Sequence, residues 1–284
     1  MEFEVETAGT TIRGRRGGQG PPVLLLHGIP QTHLMWRRIA PQLADRFSVV
    51  VTDLRGSGSS GKPPSAPDHA PYSMRALAQD QIQVMAALGY GRFSVVGHDR
   101  GGRCAYRMAL DHPEVVEKLA VMDVVPTAVV FDLADKQFSL DWVWSFLAAP
   151  EPVPETLIAA APETFVDHIL DTWSDVPGAF PAAVRAEYVD PFRDQASVHA
   201  ICEAYRAAAT LDHNYDLIDL KAGRRILCPV LALWSRTSAV GRWYDVLDVW
   251  KRWADDVVGG SLAVGHFMPE EAPEETAEAI VAFL

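Results

Sequence analysis

The chain has few of the residues that build disulfide-linked or metal-bound folds. Its three cysteines, Cys104, Cys202 and Cys228, lie far apart and form no Cys-x-x-Cys pair. An odd and sparse set of this kind excludes a disulfide framework and indicates free thiols in a reducing compartment. The nine histidines include no pair at metal-ligand spacing with a third ligand, so we expect no metal site.

Long apolar runs and positive charge are also scarce. No apolar run approaches the 18 residues of a membrane span, and the acidic stretch at residues 1–6 has no apolar core of a signal peptide. Lysine and arginine number 25 against 37 aspartates and glutamates, which gives a net charge of −12. Such a chain is a poor partner for nucleic acid or an anionic membrane surface. We therefore expect a soluble, cytoplasmic protein that binds neither.

The glycine-rich stretch at residues 55–61 follows a predicted strand and invites comparison with phosphate-binding loops. It lacks the Gly-Lys-Ser/Thr of a P-loop. We therefore expect no phosphate cradle there and no cofactor in the protein.

Hydrophobic residues make up 49% of the 284 positions, which is enough for one α/β domain with an insertion. Residues 2–13 alternate as two short strands of an edge hairpin, and the basic cluster at residues 13–18 is typical of a solvated turn. Apolar runs that fit buried strands then alternate with helical stretches; these runs are Val23–Leu26, Phe47–Val51, Phe93–Val96, Leu119–Met122 and Val230–Trp234. This alternation predicts a mostly parallel central sheet flanked by helices.

The pattern changes between residues 126 and 216. Buried strands disappear, prolines recur, and helical stripes carry tryptophan and tyrosine. We predict a helical cap over residues 126–216, inserted into a core formed by residues 1–125 and 217–284.

The sequence Gly97-His98-Asp99-Arg100-Gly101 lies between a predicted strand and a predicted helix. Gly-x-Asp-x-Gly in this position has the form of a nucleophile elbow, with Asp99 where many such enzymes carry serine. The glycines allow a turn too tight for β-carbons, which lifts the central side chain out of the sheet. A carboxylate there can attack carbon, and water can then hydrolyse the ester. An ordinary turn with a solvated aspartate fits the same five residues.

Asp123 and His266 follow two other strands, and ligands of open α/β sheets bind where strands end. The order nucleophile, acid, histidine is the one expected of an elbow enzyme. The usual place for the acid, after the strand at residues 230–234, holds no carboxylate, and Asp245 and Asp248 lie beyond it. We therefore predict Asp123 as the acid and His266 as the base.

The loop His27-Gly28-Ile29-Pro30 ends another buried strand. In elbow enzymes this loop supplies one backbone N–H to an oxyanion hole, and the residue after the nucleophile supplies the other. Here these donors are the amides of Ile29 and Arg100.

Five segments together give the chain a resemblance to a known family: residues 27–33, 97–103, 118–123, 144–148 and 265–273. The sequence resembles the fluoroacetate (haloacetate) dehalogenases of the α/β-hydrolase superfamily, and the similarity runs nearly from end to end. Asp-Arg-Gly-x-Arg at residues 99–103 is its specific part. The resemblance implies that Asp99 is the nucleophile and that Arg100 and Arg103 grip a substrate carboxylate. It also implies a homodimer and a small anionic organic substrate.

The family holds the departing halide with donors from its cap. Trp144 and Tyr205 match two of them, and Trp173 falls where another cap tryptophan is expected. Val143 stands where the family has a histidine, and Ile29 stands where many members carry an aromatic residue. Fluoride needs strong donors to leave. Valine at position 143 in place of the family's histidine therefore predicts hydrolysis of chloro- and bromoacetate in preference to fluoroacetate.

Two other functions fit parts of the sequence. An epoxide hydrolase shares the Asp-His-Asp triad and needs two cap tyrosines as acids, for which Tyr188, Tyr205 and Tyr215 are candidates. The two elbow arginines have no evident role in that reaction. A non-catalytic ligand receptor on the same fold is the second alternative, and the intact elbow and histidine argue against it.

Overall fold

A computed structural model describes residues 1–132 and 142–284. Its strands form one eight-stranded sheet in the order β1-β2-β4-β3-β5-β6-β7-β8. The strands are β1 Glu2–Glu6, β2 Thr11–Gly17, β3 Pro22–Leu26, β4 Ser48–Thr52, β5 Phe93–His98, β6 Val116–Met122, β7 Val230–Ser235 and β8 Val257–Leu262. β2 is antiparallel to β1 and β4, and the remaining pairs are parallel. The mostly parallel sheet predicted from the sequence is confirmed.

Helices cover the sheet and form the segment between β6 and β7. They are α1 Ala40–Ala44, α2 Met74–Ala87, α3 Arg100–Asp111, α4 Thr127–Asp132, α5 Trp142–Leu147, α6 Val153–Ala160, α7 Pro162–Trp173, α8 Ala182–Arg193, α9 Gln195–Ala207, α10 His213–Lys221, α11 Ala239–Trp243, α12 Val246–Lys251, α13 Met268–Glu271 and α14 Pro273–Phe283. Two 3₁₀ helices, at His33–Arg38 and Ala70–Tyr72, and a π-helical turn at Ala208–Asp212 are also present. Within the described ranges, none of these helices has the length and apolarity to cross a bilayer.

The sheet separates two hydrophobic clusters, as β3 illustrates. Val23 and Leu25 belong to one cluster, whereas Leu24 and Leu26 belong to the other. Successive side chains of a strand point to opposite faces, so both faces of β3 are buried under helices. The carboxyl ends of the parallel strands therefore meet at one edge of a rigid sheet, where the candidate residues lie.

The structure corrects the prediction for the basic cluster at residues 13–18. This segment is not a turn: most of it lies in β2, which pairs with β1 on one side and β4 on the other. Arg13 and Arg15 alternate with the buried Ile12 and Gly14, so their side chains reach solvent and the acidic neighbouring strand. Arg13 and Arg15 form ion pairs with Glu4 and Glu2 at 2.6 and 2.8 Å.

The glycine-rich stretch after β4 does not open a helix. Residues 56–61 spell Gly-x-Gly-x-x-Gly, yet the next α-helix begins only at Met74. A dinucleotide site needs that motif directly before a helix, whose N-terminal amides hold the phosphates. The sequence motif is present without the helix that gives it this function.

Between β6 and β7 most of the described chain is helical, and the cap over residues 126–216 stays a prediction. The predicted boundary after residue 216 falls inside α10. Asp216 and Asp219 of this helix form buried ion pairs with Arg107 of α3 at 2.7 and 2.6 Å. Since α10 is anchored to a core helix, we propose that the cap ends before His213.

Candidate active site

Asp99 stands at the tip of a strained turn between β5 and α3. Its φ of 47° and ψ of −116° lie where side chains other than glycine rarely occur. The neighbouring chains leave no room for larger residues. A β-carbon on Gly97 would lie 2.3 Å from the Gly101 carbonyl oxygen, and one on Gly101 would lie 2.3 Å from that of Leu26. This is the geometry of a nucleophile elbow.

The Asp99 carboxylate is buried and held by the loop after β3. The Ile29 amide donates a hydrogen bond to Oδ2 at 3.0 Å. Burial raises the pKa of Asp99, but the charge of His266, the nearby Arg103 and the Ile29 amide outweigh it and hold the pKa below the ordinary value. The carboxylate is therefore ionised at neutral pH, with one oxygen fixed by an amide.

His266 and Asp123 meet beside the elbow. His266 Nδ1 donates to Asp123 Oδ2 at 2.6 Å, and Nε2 is buried without a hydrogen-bond partner among the described residues. Burial lowers the pKa of His266, but its hydrogen bond to Asp123 and the charges of Asp123 and Asp99 raise it above the ordinary value. The imidazole is thus oriented by one nitrogen and keeps the other for a proton transfer.

The end of β7 and the loop after it hold the carboxylate that the sequence predicts as the acid. Asp123 Oδ1 accepts hydrogen bonds from the Ser235 amide at 2.9 Å and the Ser238 hydroxyl at 2.8 Å. Sequence reasoning missed Ser238, although the lack of a carboxylate in this loop was a signal that it plays another part. Asp245 and Asp248 are exposed, and Asp245 caps α12.

Both elbow arginines are buried and keep a donor for a ligand. Arg103 Nη1 donates to the Val125 carbonyl at 3.0 Å and to the Thr127 hydroxyl, while Nε has no partner in the described chain. Arg100 Nη2 donates to the Ala204 carbonyl at 2.7 Å, and its Nη1 is likewise unpaired among the described residues. A carboxylate is the natural acceptor for such donors.

Cap aromatics lie over both guanidinium groups. The Arg103 guanidinium is 4.6 Å from the Trp144 ring centre, and that of Arg100 is 4.6 Å from the Tyr205 ring centre. The two rings also pack edge to face, 5.2 Å apart. Cation–π contacts of this kind fix the arginines without occupying their in-plane donors.

The predicted site residues line two cavities that share Tyr205 in their walls. The larger cavity, of about 660 Å³, is bounded by the triad and by Arg103, Trp144, Trp173 and Tyr205. The smaller cavity, of about 40 Å³, is lined by Ile29, Arg100 and Tyr205. The structure thus brings nine of the ten predicted residues to this region, with Arg100 and Ile29 in the lining of the smaller cavity.

Val143 is the exception, and its predicted place in the pocket is wrong. Its side chain is 1% exposed and belongs to the hydrophobic cluster that also contains Leu147. Neighbouring residues of a helix point about 100° apart. Because Trp144 faces the larger cavity, Val143 is turned into the apolar interior of the cap.

Comparisons with known proteins agree with the observed fold. A family model described as the alpha/beta hydrolase fold matches residues 21–273. The chain is 44% identical over 283 residues to a fluoroacetate dehalogenase of Burkholderia sp, covering 99% of this chain and 92% of that protein. It is 31% identical over 293 residues to a soluble epoxide hydrolase of Corynebacterium sp. (strain C12), covering 100% and 98%.

Solved structures agree with the sequence comparisons. A crystal structure from Nostoc sp PCC 7120, assigned as an alpha/beta hydrolase, superposes with a TM-score of 0.97 at 50% identity, covering 100% of this chain and 97% of that one. The fold and these matches define a hydrolytic enzyme of the α/β-hydrolase class. Within that superfamily, the chain belongs to the fluoroacetate dehalogenase family.

Proposed function

We propose that this enzyme hydrolyses short 2-haloacids such as haloacetates to 2-hydroxy acids and halide. One observation supports this above all: Asp99, ionised at neutral pH, lines the larger cavity together with the buried Arg103, and the buried Arg100 lines the smaller cavity. A substrate that carries a carboxylate on its reacting carbon offers one group to the arginines and one carbon to Asp99. The similarity to a fluoroacetate dehalogenase supports the same substrate class.

In the first step the arginines hold the substrate carboxylate and align its α-carbon with Asp99. Ile29 already binds Oδ2, so Oδ1 is the attacking oxygen. A carbon–oxygen bond forms as the carbon–halogen bond breaks, and the halide leaves with the electron pair. Holding the reactants in line converts the displacement into an effectively unimolecular reaction.

In the second step water hydrolyses the ester on Asp99. His266 Nε2 takes a proton from water, the hydroxide adds to the ester carbonyl, and Asp123 stabilises the imidazolium. The oxyanion develops on Oδ2, where the Ile29 amide and the amide of Arg100 act as donors. As the tetrahedral intermediate collapses, the imidazolium gives its proton to the departing alkoxide and the 2-hydroxy acid is released. The Asp99 carboxyl group then loses a proton to restore the carboxylate, so each turnover consumes one water and yields one halide and one proton.

The two steps should respond differently to acid. The pKa of His266 is raised by Asp123, so the neutral base is present only above that raised value and disappears as the pH falls through it. Asp99, with its lowered pKa, stays ionised to lower pH and can still be alkylated. We therefore expect the carboxymethyl-enzyme to accumulate on mild acidification, as measured by acid quench and intact mass spectrometry. A parallel fall of alkylation and hydrolysis would contradict this assignment.

Halide preference depends on the donors around the leaving group. Within the described chain, the cavity wall offers indoles and hydroxyls but only one imidazole, that of His266. The family's histidine donor is missing here, because valine stands at position 143. Loss of one preorganised donor from a site where charge develops typically raises the activation free energy by about 2.7–4 kcal/mol. We expect chloro- and bromoacetate to react well and fluoroacetate poorly.

Halide release from several substrates tests both the proposed function and the predicted order of halide preference. Fluoro-, chloro- and bromoacetate are compared under one set of conditions, with a small epoxide as the fourth substrate. Rapid fluoride release would refute the halide preference alone. Epoxide opening with no halide release from any haloacetate would refute the dehalogenase assignment.

Epoxide hydrolysis is the second candidate, because an epoxide hydrolase is also similar over the whole chain. Of the three tyrosines predicted as possible ring-opening acids, only Tyr205 lines the larger cavity. Tyr188 donates to Glu270 at 3.0 Å, and the Tyr215 ring packs under Arg75. The pair of acids that this reaction requires is therefore not assembled from these three residues.

A further inference from the structure

Glu271, five residues beyond His266, accepts three backbone hydrogen bonds around the catalytic loop. Its Oε2 accepts from the Gly265 amide at 2.8 Å and its Oε1 from the Phe267 amide at 2.9 Å. These amides flank His266 on both sides. One carboxylate thus fixes the backbone from which the imidazole projects.

The third hydrogen bond ties this loop to the cap. Glu271 Oε2 also accepts from the Asp175 amide at 2.9 Å, just beyond α7. In the same region the His266 amide donates to the Trp173 carbonyl at 2.8 Å, and the Trp173 and His266 rings pack edge to face at 5.1 Å. The cap segment at residues 173–175 and the histidine loop therefore form one hydrogen-bonded unit.

Gly265 permits this close approach. A β-carbon there would lie 2.5 Å from the Trp173 carbonyl oxygen and 2.6 Å from the Asp175 amide nitrogen. Any larger residue would push the cap segment away from the loop. The Gly-His-Phe sequence is thus matched to the cap as well as to the triad.

We propose that Glu271 is a positioning residue that holds His266 in a fixed position relative to Asp123 and to the cap segment at residues 173–175. Glu271 does not line either of the two cavities; it acts through the two peptide groups that flank the base. The inference rests on the proposed function, because it assigns Glu271 to ester hydrolysis and not to alkylation of Asp99.

The charged and titratable groups that face His266 come from four elements. They are Asp123 after β6, Asp99 at the elbow, Glu271 on α13 and His98 of β5, and Asp175 of the cap lines the same cavity. Burial lowers the pKa of His266, while Asp123, Asp99 and then Glu271 raise it. Removing the Glu271 charge should therefore lower the pKa of His266 as well as loosen its loop.

The test uses Glu271→Gln, which keeps the side-chain length but loses the charge and one acceptor. We expect ester hydrolysis to slow by roughly ten- to a hundredfold, the scale of effect when a catalytic group is misplaced by about 1 Å. The alkylation rate of Asp99 should stay within about twofold of wild type, since Asp99 and both arginines are untouched. Alkyl-enzyme should accumulate, and the acid limb of hydrolysis should move to lower pH.

Glu274→Gln is the matched control. Glu274 lies on the next helix, is exposed and pairs only with exposed Arg38 in the described chain, so both rates and the pH profile should match wild type. Glu271→Asp retains the charge and should keep the wild-type acid limb even where its rate falls. Equal losses in both chemical steps, or no change in Glu271→Gln, would overturn the proposal.

A measurement on the enzyme without substrate tests the role of Glu271 independently of the proposed dehalogenase function. The pKa of His266, followed by proton NMR of its imidazole, should fall in Glu271→Gln and stay unchanged in Glu274→Gln. If no haloacetate is turned over but this pKa falls, the proposed function fails and the positioning role of Glu271 stands. If haloacetates are hydrolysed and neither the pKa nor the hydrolysis step changes, the positioning role fails alone.

Discussion

His266→Asn should leave the enzyme trapped as an ester after a single haloacetate. The variant keeps the elbow, the Ile29 amide on Oδ2 and both arginines, so the displacement at carbon proceeds. It lacks the Nε2 that would take a proton from water, so the ester persists. We expect steady-state turnover to fall roughly 10⁴-fold or more, the scale of loss for a catalytic base. Intact mass spectrometry should show one carboxymethyl group per chain.

Asp99→Asn supplies the matched control for that experiment. An amide is a poor nucleophile, so this variant should show neither turnover nor added mass. Peptide mapping of alkylated His266→Asn should place the carboxymethyl group on Asp99. Unmodified His266→Asn alongside an active wild type would refute the covalent scheme, and modification at any other residue would refute the choice of nucleophile.

The second large effect concerns the substrate carboxylate. Arg103→Gln and Arg100→Gln each remove a charge-assisted hydrogen bond, which typically contributes about 1.5–3 kcal/mol. This corresponds to roughly ten- to a few-hundred-fold in kcat/KM for chloroacetate. Since Arg103 lines the larger cavity with Asp99, whereas Arg100 lines the smaller one, we expect Arg103→Gln to be the more damaging variant.

A neutral substrate checks the same interaction without changing the protein. Chloroacetamide has the same reacting carbon as chloroacetate but no negative charge, so wild type should hydrolyse it far more slowly. The difference in kcat/KM between chloroacetate and chloroacetamide should be smaller in Arg103→Gln than in wild type. It should be unchanged in Arg92→Gln, whose arginine is exposed and lies at the other end of β5 from Asp99. Equal wild-type rates would indicate a neutral natural substrate.

Local patterns predicted much of the fold and site. Continuous apolar runs identified β3 and β5 because a strand buried on both faces needs no polar alternation. The elbow could be predicted because its tight turn requires glycine at fixed positions, which are Gly97 and Gly101 here. Asp123 and His266 could be chosen because strand ends of a parallel sheet converge.

Other features depend on contacts between distant segments and had no local signal. The direction of Val143 is set by how α5 packs in the cap, which single-sequence matching to a family cannot supply. The arginines of β2 look like a turn until Glu2 and Glu4 of the neighbouring strand are placed beside them. Arg100 and Arg103 line different cavities, and Tyr205 of α9, far away in the sequence, lines both.

Both carboxylates of the triad occupy backbone conformations in which glycine would be more comfortable. Asp99 and Asp123 have φ values of 47° and 48°, and such positions cost on the order of 1–3 kcal/mol each. Glycine would relieve the backbone strain at either site but would leave buried donors without an acceptor, the Ile29 amide at one site and the Ser235 amide and Ser238 hydroxyl at the other. The same hydrogen bonds that orient the two carboxylates therefore also keep the chain in its strained turns.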